Sequence, residues 1–250
     1  MPKVIYIRHG ESESNKIIHD NKKLTNEHEE QINCFLNPNL TNLGSEQANQ
    51  TGDYLYKILK NKYKKIYVWI SPYDRTQQTA KPFLQLSRDL LVESNIMPDL
   101  YEYTSNNKQP NDELIKLGIN NDITWNHFIN RVIKFNVKLK EKMLKMHEDD
   151  ILLIFGHSLF FSILMAYQTV QEKDAEIDDI TFELPMEKNS IFLHRLRRTI
   201  DRSPQPNCCL STIGYNTVQN RWSIYNVAAI SHLNKNLVTG NHTLIGLCIN

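Results

Sequence analysis

Three short apolar runs, each followed by polar residues and then by a helical pattern, most strongly limit how this chain can fold. They occupy residues 4–7, 66–70 and 151–155 and are rich in β-branched and aromatic residues, which predicts buried β-strands. Strands that alternate with helices are typical of a largely parallel sheet. We therefore predict one α/β domain that spans residues 1–250.

The remaining elements follow from periodicity and turn residues. Thr41 is a suitable N-cap for a helix with an apolar face up to Leu59, and further helices are predicted at 75–86, 124–146 and 158–167. Additional strands are predicted near 90–92, 191–193 and 223–227. Residues 12–40 read as a loop with one helical turn, residues 103–124 as a lid-like connection, and the chain from about 234 as a tail.

The charge balance argues against two classes of partner. The chain has 29 Lys and Arg against 28 Asp and Glu, a formal net charge of +1. Such a balance gives no overall attraction to nucleic acid or to an anionic membrane. We expect neither as a partner, whereas a small anionic ligand needs only a local basic pocket.

The four cysteines form no C-x-x-C pair, and Cys208 and Cys209 are adjacent, an arrangement that suits neither an ordinary disulfide nor a zinc site. Reduced thiols in a cytoplasmic protein are the simpler interpretation.

Residues 151–170 lack charged side chains and are long enough to cross a bilayer. Gly156-His157-Ser158 interrupts them, however, so we predict a strand, a turn and a core helix there.

Polar residues of one kind follow three of the predicted strands. The first ends in Arg8-His9-Gly10, the second in a segment from Ser71 to Arg75, and the third in Gly156-His157-Ser158. If these strands are neighbours, two arginines and two histidines meet at one edge of the sheet, where open α/β sheets bind ligands. Guanidinium groups bind phosphoryl oxygens, and an imidazole nitrogen can attack phosphorus.

These residues belong to blocks that resemble the histidine phosphatase superfamily, which includes the cofactor-dependent phosphoglycerate mutases. The blocks are Arg8-His9-Gly10-Glu11-Ser12 with Asn15, Leu40-Thr41-x-x-Gly44, Ser71-Pro72-x-x-Arg75-Thr76-x-Gln78-Thr79-Ala80, Leu100-x-Glu102 and Gly156-His157-Ser158. The resemblance implies a phosphoglycerate mutase-like, three-layer α/β/α sandwich with a mostly parallel sheet.

The resemblance also implies a role for each matching residue. His9 would be the nucleophile that forms a phosphohistidine, and nearby arginines would keep it neutral. Arg8, Arg75 and His157 would bind phosphate oxygens and stabilise the transition state, with Asn15 adding a hydrogen bond. Glu102 would be the general acid and base, although Glu93, Asp99 and Glu113 lie close in sequence. No metal and no cofactor is required.

Three functions remain open at this level. Mutases of the family carry an arginine after the catalytic glutamate, whereas Tyr103 follows Glu102 here, which favours a phosphatase acting on a small phosphorylated substrate. A cofactor-dependent phosphoglycerate mutase is the first alternative. A non-catalytic phosphate-binding scaffold is the second, but no core residue is missing.

A basic patch of four arginines is either a solvated face or a subsite for a polyanionic substrate: Arg195, Arg197, Arg198 and Arg202.

Overall fold

The computed structural model describes residues 1–21, 25–28, 37–90, 92–103, 115–116, 125–170 and 205–239. The strands are β1 Lys3–Arg8, β2 Lys65–Ile70, β3 Val92–Ile96, β4 Asp150–Gly156, β5 Leu210–Asn216 and β6 Arg221–Ala229. The helices are α1 Glu13–Asp20, α2 Asn42–Leu59, α3 Asp74–Leu86, α4 Trp125–Lys145 and α5 Ser158–Val170. The predicted strand near 191–193, the basic patch and most of the predicted lid lie outside the described residues.

The six strands form one sheet in the order β3-β2-β4-β1-β5-β6. Neighbours from β3 to β1 pair in parallel, and β5 is antiparallel to both β1 and β6. The predicted mostly parallel sheet is therefore confirmed. Arg8 pairs with Gly156 and Ile70 with Phe155, so the carboxyl ends of β1, β2 and β4 lie at one edge.

Helices cover both faces of the sheet. Val4 and Tyr6 of β1 pack in the same core as α4 and α5, whereas Ile5 and Ile7 pack in the core that includes α2 and α3. Successive side chains of a strand point to opposite faces, so a strand buried on both sides needs an uninterrupted apolar run. The unbroken apolar run of β1 thus reflects a three-layer α/β/α arrangement, as predicted.

Two local predictions are confirmed. The Thr41 hydroxyl caps α2 by accepting a hydrogen bond from the Gly44 amide at 3.0 Å. The apolar segment after residue 150 forms β4 and α5 with His157 between them, the predicted strand, turn and helix. Within the described part of the chain, no helix combines the length and apolar character needed to span a membrane.

Other elements differ from the prediction. The segment after β1 contains the two-turn helix α1, because Ser12 and Asn15 form a capping box at its start. Strand β5 was missed, since its buried Leu210, Ile213 and Tyr215 are separated by polar or glycine residues. Strand β3 starts at Val92, where the predicted strand ended, and its exposed polar residues hid its length.

The chain beyond residue 234 contacts the domain where the sequence predicted a tail. A 3₁₀ turn at Lys235–Leu237 buries Leu237, and the Gln47 side chain of α2 donates a hydrogen bond to the Leu237 carbonyl at 2.6 Å. Thr239 is also buried. Residues 240–250 lie outside the described residues.

Candidate active site

The end of β1 places His9 between its two neighbouring strands. The His9 amide donates a hydrogen bond to the Gly156 carbonyl at 3.0 Å, and the Arg8 amide donates to the Cys209 carbonyl at 3.2 Å. These bonds extend the strand pairing beyond the regular sheet. The backbone at His9 is thus bonded to both neighbouring segments, and only 4% of the residue is exposed.

Two glycines let the segment after His9 pass directly over the start of α2. A Cβ atom on Gly44 would lie 2.0 Å from the Glu11 carbonyl oxygen, and one on Gly10 would lie 2.5 Å from the Gly44 oxygen. The Thr41 hydroxyl donates to the Glu11 carboxylate at 2.9 Å. This crossing explains why the Leu40-Thr41-x-x-Gly44 block accompanies the Arg8-His9-Gly10 block.

Arg75, in the first turn of α3, lies between two histidines. Its Nε–H donates to Nε2 of His9 at 3.3 Å, and its Nη2 donates to Nδ1 of His157 at 3.3 Å. The two imidazole rings are 5.3 Å apart between centroids. The structure thus brings together the three side chains that the sequence placed on separate strand ends.

Hydrogen bonds define the tautomer of each histidine. Nδ1 of His9 lies 2.7 Å from the Gly10 carbonyl, which can only accept, so Nδ1 carries the proton and Nε2 has a lone pair. Nδ1 of His157 accepts from Arg75, so its Nε2 carries the proton and donates to the Ser71 hydroxyl at 2.7 Å. Both rings are neutral in this arrangement.

Burial and charge keep these rings neutral. Burial is the largest cause that lowers the pKa of His9 well below 6.5, and the positive charges of Arg75 and Arg8 lower it further. Burial, followed by Arg75, has the same effect on the pKa of His157. A neutral His9 at physiological pH is what attack by Nε2 requires.

Arg8 and Asn15 complete the cationic side of the site. The Arg8 guanidinium donates to the Gln205 carbonyl, and its Nη2 donates to Oδ1 of Asn15 at 3.5 Å. Oδ1 of Asn15 also accepts from Nδ2 of Asn207 at 3.1 Å. The capping box of α1 therefore has a second effect, which is to bring Asn15 to Arg8.

Glu102 contacts the first turn of α5, which begins directly after His157. Its Oε2 accepts from the Leu159 amide at 3.2 Å and its Oε1 from the Tyr103 amide at 3.1 Å. Burial raises the pKa of Glu102, and those amides together with the charge of Arg75 oppose the rise. A carboxyl with a raised pKa can donate a proton near neutral pH.

The other carboxylates considered from the sequence are differently placed. Glu93 forms an exposed ion pair with Lys65 at 2.8 Å, and Asp99 pairs with Lys138 at 3.0 Å. Glu113 lies outside the described residues. Of the carboxylates considered that the structure describes, Glu102 is the one that contacts the start of α5, next to His157 in sequence.

The polar residues of the block from Ser71 to Ala80 connect the loops of the site. The Gly10 amide donates to the Thr79 hydroxyl at 3.0 Å, and the Leu40 amide donates to the Gln78 side chain at 2.8 Å. The Thr76 hydroxyl caps the turn before α3 by donating to the Ser71 carbonyl at 2.8 Å. The block therefore supplies both Arg75 and the framework that orients it.

Sequence reasoning missed several residues that support the site. Arg131 of α4 donates to the carbonyls of Asp99 and Tyr101 at 2.8 and 2.7 Å, which holds the segment before Glu102. Its guanidinium lies 3.4 Å from the centroid of the Tyr101 ring. An arginine beside the apolar stripe of α4 was the available signal. Gln205 and Asn207 precede a strand that was itself missed, so no signal pointed to them.

Charge and hydrogen-bonding capacity define the class of site. Two guanidinium groups and two neutral imidazoles surround a small region, and a carboxyl with a raised pKa lies next to it. Across the parts of the chain that the structure covers, no group of three or more His, Cys, Asp or Glu side chains is placed to hold a metal ion. The donors present suit a phosphoryl group.

Comparisons agree with this assignment of class. The model of the histidine phosphatase superfamily (branch 1) matches residues 4–182, and the chain belongs to this superfamily. The resemblance seen in the sequence is confirmed. No curated protein matched the chain in a sequence search.

Solved structures share the fold at low sequence identity. The mycobacterial glucosyl-3-phosphoglycerate phosphatase Rv2419c is 15% identical, with a TM-score of 0.56 over 91% of this chain and 99% of that chain. The product of the open reading frame Rv3214 from Mycobacterium tuberculosis is 16% identical, with a TM-score of 0.53 over 90% of this chain and 96% of that chain. Both are similar to this chain in fold.

Proposed function

We propose that this protein is a metal-independent phosphomonoester hydrolase that acts through a phosphohistidine on His9. One observation carries the proposal: Nε2 of His9 is unprotonated and faces Arg75, because Nδ1 is bound to the Gly10 carbonyl. A neutral nucleophile beside a fixed cation combines attack on phosphorus with stabilisation of the phosphoryl charge.

The two chemical steps use the groups already described. Arg8, Arg75 and His157 bind the phosphoryl oxygens, with Asn15 contributing a further hydrogen bond. Nε2 of His9 attacks phosphorus while the ester P–O bond breaks and Glu102 protonates the leaving oxygen. Glu102 then accepts a proton from water, which attacks the phosphohistidine and releases inorganic phosphate and free His9.

Transfer to water is favoured over transfer to a second substrate. The residue after Glu102 is Tyr103, whose ring stacks on Phe128 with 5.3 Å between centroids. An aromatic side chain packed in this way supplies no cation for a second acidic group. The proposed substrate is a small phosphate monoester.

Cys208 and Cys209 are buried free thiols, which fits the proposed cytoplasmic location.

Release of phosphate from para-nitrophenyl phosphate tests the proposal. Wild type is expected to turn over in the presence of EDTA, and His9→Ala is expected to lose at least about 10⁴-fold in kcat. His19→Ala is the matched control, because His19 is an exposed histidine of α1. Acid-labile labelling of wild type but not of His9→Ala would identify the phosphoenzyme.

Two results would overturn the proposal. Activity that EDTA abolishes and metal restores would contradict the metal-independent mechanism. Folded wild type that hydrolyses no phosphate monoester would contradict the hydrolase. In that case, phosphoglycerate mutase activity with 2,3-bisphosphoglycerate would identify a mutase, and binding of inorganic phosphate without turnover would identify a scaffold.

A further inference from the structure

The main-chain carbonyl of His9 is held by a turn that lies far away in sequence. It accepts hydrogen bonds from Nδ2 of Asn207 at 3.1 Å and from the Cys208 amide at 3.3 Å. Cys208 adopts a φ of 58°, in the left-handed region that a side chain disfavours. This turn therefore keeps an unfavourable backbone conformation while two of its donors point at the nucleophile's own carbonyl.

Asn207 also connects the nucleophile to the phosphate-binding side of the site. The same Nδ2 donates to Oδ1 of Asn15 at 3.1 Å, and Asn15 in turn accepts from Arg8. One amide group thus contacts the backbone of His9 and the side chain of Asn15. A shift of Asn207 would move both.

A second chain segment fixes the orientation of Asn207. The Thr239 hydroxyl donates to Oδ1 of the Asn207 side chain at 3.3 Å, and the main-chain amide of Asn207 donates to the main-chain carbonyl of Thr239 at 2.9 Å. Nε2 of Gln47 donates to the Thr239 hydroxyl at 2.8 Å, and Oε1 of Gln47 accepts from the Glu11 amide at 2.7 Å. The network therefore holds the backbone at the His9 carbonyl and again at Glu11, two residues further along.

The network is buried, so water does not replace a lost bond. Asn207 and Gln47 are 0% exposed and Thr239 is 5% exposed. A buried polar group without its partner is strongly disfavoured, so the three side chains constrain one another. Asn207 and Thr239 also lie beyond residue 182, where the match to the superfamily ends.

We infer that Asn207, oriented by Thr239 and Gln47, is a positioning residue for phosphoryl transfer that sets the place of His9 and Asn15. The inference rests on the proposed function. Nucleophilic attack depends on placement within a fraction of an ångström, and a misplacement of about 1 Å can lower the rate by about 10². The expected signature is a fall in kcat with little change in KM.

Steady-state kinetics of Asn207→Ala, Thr239→Val and Thr239→Ser test this inference. Asn207→Ala is expected to lower kcat by about 10- to 100-fold and to change KM by less than about threefold. Thr239→Val, which removes the hydroxyl at nearly constant volume, is expected to lower kcat by about 3- to 10-fold. Thr239→Ser keeps the hydroxyl, so its kcat is expected to stay within about twofold of that of wild type.

Asn136→Ala is the matched control. Asn136 of α4 is 1% exposed, and its Oδ1 accepts a hydrogen bond at 3.0 Å from Gln168 of α5, so within the described residues it bonds to a helix and not to the backbone around His9. It should lose stability with kcat within about twofold of wild type. The inference is overturned if Asn207→Ala and Thr239→Val keep wild-type kcat, or if Asn136→Ala matches their loss.

A readout that does not depend on turnover separates this inference from the proposed function. In ¹⁵N spectra of the histidine rings, wild-type His9 should show a protonated Nδ1, and Asn207→Ala should shift both ring-nitrogen signals of His9 as its contacts with Gly10 and Arg75 change. Inactive wild type would overturn the hydrolase alone. Unchanged ring-nitrogen signals of His9 in Asn207→Ala and Thr239→Val would overturn the positioning role even then.

Discussion

Arg75 donates a hydrogen bond from Nε to Nε2 of His9 across 3.3 Å, so the cation that would bind the phosphoryl group touches the atom that would attack it. The contact disfavours a proton on that nitrogen, since a guanidinium cannot accept one. Arriving phosphate oxygens would take over the Arg75 donors and free the lone pair. Each element of the proposed mechanism can be tested by changing one such contact.

Arg75→Ala should lower kcat on para-nitrophenyl phosphate by about 10²- to 10³-fold, because one fixed donor to the phosphoryl charge is lost. It should also raise the pKa of His9, since the charge of Arg75 contributes to lowering it. Kinetics and an NMR titration of the imidazole measure the two effects. Arg88→Ala is the control, because Arg88 is exposed after the end of α3. A His9 pKa that does not rise would contradict this electrostatic role.

The pH profile of kcat/KM should be bell-shaped. Activity rises with pH as His9 loses its proton, at a pKa well below 6.5, and falls as Glu102 loses its proton, at a pKa raised above 4.5. Glu102→Gln should remove the alkaline limb and lower kcat on alkyl phosphates by about 10²- to 10⁴-fold. The loss in kcat should be smaller on para-nitrophenyl phosphate, since its leaving group needs little protonation.

Glu93→Gln is the control for that experiment, because Glu93 is paired with Lys65 at the surface. It should keep both limbs and wild-type kcat. An alkaline limb that survives in Glu102→Gln would assign it to another group.

The stability of the protein should fall as the pH drops from 6.5 towards 4, in part because of His232. Burial lowers the pKa of His232 to about 4, whereas the unfolded chain binds that proton near 6.5. Between these values the unfolded state holds more protons, so the free energy of unfolding increases with pH. The ring Nε2 lies 3.1 Å from the Thr51 hydroxyl and stays neutral there.

His232→Gln should reduce the slope of the unfolding free energy against pH, by an amount that corresponds to at most about one bound proton. Above pH 7 the slope should be unchanged. Urea unfolding between pH 4.5 and 7.5 measures the slope. The difference between variant and wild type at pH 7.5 gives the effect of the substitution itself. An equal slope in both proteins would show that His232 does not contribute.

Gly44→Ala should destabilise the protein by about 2–4 kcal/mol and disturb the site. Its Cβ would lie 2.0 Å from the Glu11 carbonyl oxygen, which is backbone and cannot move without displacing the segment after His9. Gly214→Ala is the matched control, because the nearest atoms there are the ends of the Met1 and Tyr225 side chains, and it should be better tolerated. Equal loss of stability in both variants would contradict the close crossing.

The parallel part of the sheet and the ends of its strands were predictable from local patterns. The run that became β1 is apolar on both faces, so it had to be a strand buried between two layers. Arg8, Arg75 and His157 follow from the blocks at the strand ends, because parallel strands bring their carboxyl ends to one edge. Thr41 carries its own local signal as a helix cap, whereas the close approach at Gly44 became visible only in the structure.

Strand β5 was not predictable in the same way, although the edge strand β6 was predicted near 223–227. In strand β5 the alternation of polar and apolar residues is too short and irregular to predict a strand. Its place beside β1 depends on pairing with a segment that is distant in sequence. The 3₁₀ turn at Lys235–Leu237 had no signal that it would dock on α2. Contacts of this kind are formed by residues about 200 positions apart, as between Arg8 and Gln205.

The sequence by itself determined the largely parallel sheet, the order of the main elements and the identity of the charged groups, because these follow from periodicity and from side-chain chemistry, and the family resemblance implied the three layers. Only the tertiary structure decided which nitrogen of His9 is unprotonated, that Glu102 contacts the start of α5, and that Asn207 holds the carbonyl of His9. Hydrogen bonds and desolvation depend on distances between atoms that are far apart in sequence, and these distances exist only once the chain has folded.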